Sequence, residues 1–63
     1  MNQPVKLLEF THANNGAKVI VPFLQVASWW YSDHHKATLI MHPGGAMLPV
    51  KETPDEVKAK MLS

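Results

Sequence analysis

The chain has no cysteine and no arginine among its 63 residues, and both absences narrow its function. Without cysteine, neither a disulfide nor a thiolate metal site can staple a small fold. Without arginine, the side chain best suited to bidentate recognition of guanine and phosphate is missing. The positive charge comes from six lysines (Lys6, Lys18, Lys36, Lys51, Lys58 and Lys60), and the net charge is only +1. Sequence-specific nucleic-acid reading is therefore disfavoured. No apolar run approaches the length of a membrane span or follows a basic segment as in a signal peptide, so the expectation is a cytoplasmic protein with no membrane partner.

What remains is apolar: 46% hydrophobic residues against 17% charged, too rich for a disordered chain. A single domain over residues 1–63 buries only about 60% of the surface its unfolded chain exposes, which leaves stability marginal. With disulfides excluded, oligomerisation is the obvious remaining staple. The apolar excess predicts a buried interface between copies.

Val5-Lys-Leu-Leu-Glu-Phe10 reads as a first strand ending in the turn-rich His12-Ala-Asn-Asn-Gly16. Asn15-Gly16 predicts a two-residue hairpin turn, because both residues tolerate positive φ. Lys18–Val21 returns as a second strand, and Pro22–Gln25 is a short connection. Val26–Tyr31 and Ala37–His42 form a third and fourth strand around the polar turn Ser32–Lys36. After Pro43-Gly44-Gly45, Ala46–Val50 makes a fifth strand, held to an edge or a bulge by Pro49.

The chain then shows its clearest local signal. Thr53 can cap a helix, Pro54 suits the first helical position, and Glu56 stands three residues after Thr53 to complete a capping box. Glu56 and Lys60 form a favourable i,i+4 pair. Val57, Met61 and Leu62 make a sticky stripe on a helix too short to stand alone. The fold class is α+β, mainly β: a small curled antiparallel sheet or partial barrel of about five short strands with a C-terminal helix.

This layout resembles the FlbD-like small proteins, short bacterial and phage-borne chains. The resemblance spans most of the chain and rests on Val5–Phe10, the Asn15-Gly16 hairpin, the β segments around Val26 and over Ala37–His42, and the ending Val50-Lys-Glu-Thr-Pro-Asp-Glu-Val57. It differs in Trp29-Trp30-Tyr31, in His34-His35 and in the Pro43-Gly44-Gly45 turn. The resemblance implies this fold and a non-enzymatic role, and it transfers no catalytic residue.

Trp29-Trp30-Tyr31 places large rings on both faces of one strand, so at least one bulky aromatic must lie outside whichever face is inward. Aromatics are enriched at protein contacts and can also stack bases. Trp29, Trp30, Tyr31, Val57, Met61 and Leu62 are accordingly the expected protein interface, with the helix residues either sealing the core or crossing to a neighbouring subunit. His12, His34, His35 and His42 lack the spacing of a zinc pattern, and Asp33 is the only carboxylate near the adjacent pair, so neither metal nor cofactor is expected. Ser28, Ser32, Thr38, His34 and Asp33 contain the elements of a nucleophilic site, but so small a sheet rarely encloses a ligand-sized cavity. The reading is a non-enzymatic interaction or regulatory protein that acts as a homo-oligomer and contacts other proteins. The alternative is a nucleic-acid module using the aromatics with Lys18, Lys36 and Lys51.

Overall fold

Leu8 and Phe10 alternate with Leu7, Glu9 and Thr11. In the computed structural model, which describes residues 5–63, that alternation is strand β1 (Leu7–Thr11), with Leu8 and Phe10 buried. Strand β2 (Lys18–Pro22) returns antiparallel in a register that sets Val21 opposite Leu8 and Val19 opposite Phe10. The hairpin turns as expected, but not through a two-residue Asn-Gly turn. The His12 amide donates to the Ala17 carbonyl at 2.8 Å around four loop residues, and the Asn15 side chain accepts from the Ala17 amide at 2.9 Å. Of the Asn-Gly pair only Gly16 takes a positive φ, 73°, because the longer loop needs a single left-handed residue.

Pro22 ends β2, and Phe23–Gln25 follow as one 3₁₀ turn. Strands β3 (Ser28–Ser32), β4 (Ala37–Met41) and β5 (Met47–Val50) form an antiparallel meander with β4 in the middle. All of Ala37 to Ile40 is buried, as suits a central strand. Pro49 is tolerated because the β4–β5 bonds run through alternate residues, such as His42 to Ala46. Its missing N–H points away from β4, on the side where its carbonyl accepts from Ala13 at 3.0 Å.

The five antiparallel strands thus divide between a two-stranded and a three-stranded sheet. The backbones of the sheets join where His12 bridges Val50, where the Ala13 amide reaches the Pro49 carbonyl and where the Lys51 amide donates to the Thr11 carbonyl at 2.8 Å. Between them lies the core of Leu8, Phe10, Val21, Ile40, Val50 and Val57, with Trp29, Leu48 and Met61 packed against it.

Helix α1 (Pro54–Leu62) closes this core. Thr53 Oγ1 accepts from the Glu56 amide at 3.1 Å, and the Glu56 carboxylate accepts from the Thr53 amide at 2.8 Å, the complete capping box. The Glu56–Lys60 pair does not form. The box holds the Glu56 carboxylate at the N-terminus, and Lys60 Nζ instead lies 5.9 Å from the Phe10 ring centroid. At the other end Lys6 Nζ donates to the carbonyls of Met61 and Ser63, a cation placed where the helix dipole is negative.

A second clasp joins the two halves of the chain. The Glu52 carboxylate accepts from the Thr11 amide at 2.9 and 3.1 Å and from the Thr11 hydroxyl at 2.9 Å. Partial burial by itself would raise the Glu52 pKa. The Thr11 amide, Glu52's own amide, the Thr11 hydroxyl and the Lys60 charge outweigh it and hold the carboxyl below its ordinary 4.5. A group that titrates lower when folded contributes fully above that ordinary value and loses its contribution as pH falls through the depressed one. Glu52→Gln is expected to cost about 1 kcal/mol at neutral pH and to flatten the acid limb of stability below about pH 4.5. Melting curves from neutral to acid pH check this; an unchanged acid limb would show that the clasp contributes nothing.

Thr38 is the opposite case. It is 1% exposed, faces the core between Tyr31 and Val50 in register, and its hydroxyl has no hydrogen-bond partner among the described residues. Thr38→Val removes the unpaired hydroxyl at nearly constant shape and is expected to stabilise the fold by about 1 kcal/mol, read as a rise in Tm. A fall in Tm would mean that the hydroxyl is satisfied.

Candidate functional site

Strand β3 carries the sequence's most unusual residues, and its register settles which ring goes where. Trp29 lies opposite Ile40, and Ile40 opposite Leu48, so Trp29 takes the inner face and packs against the core. Its indole N–H donates to the Pro54 carbonyl at 3.1 Å, fastening β3 to the start of α1. Trp30 takes the outer face, opposite Leu39, which in turn lies opposite Pro49. Tyr31 shares the inner face with Trp29 but sits at the outer end of the strand and is 50% exposed.

The six residues expected at an interface therefore separate. The Val57 side chain is fully buried and the Trp29 ring is partly buried and packed on the core, so both side chains serve the core and their placement as contact side chains at an interface is corrected. Met61 is half-buried against the same core. Trp30, Tyr31 and Leu62 remain exposed, Leu62 at the far end of α1.

Among the described strand residues, the outer face of the three-stranded sheet has no charged side chain. Cross-strand rows on it run Ser28, Met41, Met47, then Trp30, Leu39, Pro49, then Ser32, Ala37. Leu39 is only 5% exposed although it lies on this outer face, since the Trp30 and Pro49 rings flank it. Sequence alternation could not find this face, because β4 reads as apolar on both sides.

The polar candidates disperse. His34 and His35 stack edge to face at 5.1 Å in the β3–β4 turn, where Lys36 takes a φ of 55°. Ser32 Oγ lies 2.9 Å from His35 Nδ1, and it also accepts from the His35 amide at 3.2 Å, so this Ser-His pair braces a solvated turn. His42 Nδ1 is 2.7 Å from the Gln25 carbonyl, and His12 Nδ1 accepts from the Asn14 amide. Among the described residues no three His, Asp or Glu side chains converge in a group that could hold a metal ion. A cleft of about 230 Å³ lies between β2, Gln25, His42 and Leu48, and none of the candidate nucleophiles lines it. No helix among the described residues is long and apolar enough to cross a membrane.

Comparison with protein-family models, curated proteins and solved structures returned no match.

Proposed function

We propose that this chain is a small non-enzymatic interaction protein that works through protein–protein contacts as a homo-oligomer. The observation that carries the reading is the surface of β3: Trp30 and Tyr31, 38% and 50% exposed, adjoin a sheet face without a single charge among its described strand residues. Large aromatics left outside at this cost to solubility are the usual centre of a protein contact. The resemblance to the FlbD-like bacterial and phage proteins supports the same non-enzymatic role.

A base-stacking role for the same rings finds little support around them. Lys18 Nζ is bonded to Thr11 Oγ1, and Lys51 Nζ lies near the Gly16 turn; both belong to the β1–β2 end, with β5 and β4 between them and β3. Only Lys36 stands close to the aromatics in sequence. The test is solution mass by light scattering at two protein concentrations and two salt levels. A concentration-dependent oligomer insensitive to salt is the expected result, since apolar contacts are not screened; a monomer at every concentration overturns the homo-oligomer.

A further inference from the structure

We infer that the homo-oligomer is built on a twofold dimer in which β3 pairs antiparallel with β3 of a second copy, centred on Trp30. The inference rests on the homo-oligomeric reading above and adds the surface and its geometry. Along β4, the residues that bond β5 alternate with those that bond β3, so β3 meets β4 through Ser28, Trp30 and Ser32. The N–H and C=O groups of Trp29 and Tyr31 consequently point off the free edge, and no partner for them occurs among the described residues.

An unpaired edge invites another strand unless the fold guards it, usually with lysine or proline. The free edge of β2 has both, Lys18 at one end and Pro22 at the other. The second edge of β1 is occupied at Thr11 by Lys51 and Glu52. Strand β3, Ser-Trp-Trp-Tyr-Ser, has neither lysine, proline nor any charge.

A second copy is the occupant because the edge is complementary to itself. About a twofold axis beside Trp30, Trp29 of each copy faces Tyr31 of the other. Both are hydrogen-bonding positions, so the pairing makes four backbone hydrogen bonds and leaves no donor of the two residues unused. The two Trp30 residues then meet at a non-hydrogen-bonded position, where cross-strand side chains come closest, flanked by Ser28 facing Ser32. A net charge of +1 per copy offers little repulsion. The contact is short, so the dimer belongs to the weak, concentration-dependent class that buries less than about 1,200 Å² in total.

Tyr31→Pro tests the geometry directly. It deletes an N–H that points off the edge and that the β3–β4 ladder does not use, so the monomer keeps its bonds while two of the four intersubunit bonds disappear. Expected is at least a tenfold loss of self-association with a native circular dichroism spectrum, and the same loss for Trp30→Lys, which sets like charges face to face. Should Tyr31→Pro fail to fold, amide exchange of the unmodified protein gives the answer: the Trp29 and Tyr31 amides must gain protection as concentration rises. Tyr31→Pro dimerising like the unmodified protein, or amides indifferent to concentration in a protein that does associate, overturns edge pairing and leaves the homo-oligomer standing. A monomer at all concentrations overturns both.

Discussion

Phe10→Ala is expected to lower the melting temperature by at least about 12 °C. Phe10 is fully buried, lies opposite Val19 across the β1–β2 ladder, and has the Lys60 ammonium over its ring. Truncating a buried phenylalanine costs about 3–5 kcal/mol, transfer term and cavity together. At about 0.05–0.15 kcal/mol per residue, a domain of 63 residues has roughly 3–9 kcal/mol in total. The loss therefore takes from about a third to all of what there is, and each kcal/mol moves Tm by about 4–8 °C in a chain this small. Phe10→Leu, which keeps most of the volume, is expected to cost about 1.5 kcal/mol or less. Urea or thermal melts of the two variants check the contrast; an alanine variant that melts within a few degrees of the unmodified protein would show that the sheets do not close on this ring.

That a first strand and a C-terminal helix exist was legible from the Val5–Phe10 run and from the capping box at Thr53 and Glu56, because both signals are local. Residues two or four apart on one element, or a cap three residues from its partner, depend on no other part of the chain. The Asn15-Gly16 turn was half legible: its hairpin formed, but the dipeptide alone does not say how many residues close the loop. The clasp of Glu52 on Thr11 links residues 41 apart and leaves no periodic trace. The same holds for Lys6 at the end of α1, and for the division of five strands into two sheets joined near His12 and Val50. The site was ambiguous for a different reason. A strand with a large ring on each face has no preferred side until its register against β4 is known, and β4 is apolar throughout. Val57 went the same way: a stripe that seals a core and one that crosses to a partner have the same spacing.

Trp29 and Trp30 are therefore expected to respond oppositely to the same truncation. Trp29 packs on the core and its N–H reaches the Pro54 carbonyl, so Trp29→Ala opens a cavity, frees α1 at its N-terminus and is expected to cost about 3–4 kcal/mol. Trp29→Phe keeps most of the ring and separates the two contributions, the lost hydrogen bond being worth about 1 kcal/mol. Trp30 lies opposite Leu39 on the outer face and is itself exposed, so Trp30→Ala is expected to cost about 1 kcal/mol and to retain the native fold while self-association falls. Thermal melts paired with solution mass for each variant measure both effects. If the two substitutions unfold the protein equally and neither changes its assembly, the outer ring is structural and the interface lies elsewhere. If only Trp29→Ala unfolds it and only Trp30→Ala disperses it, two adjacent tryptophans have been divided by a single strand register into one that makes the fold and one that uses it.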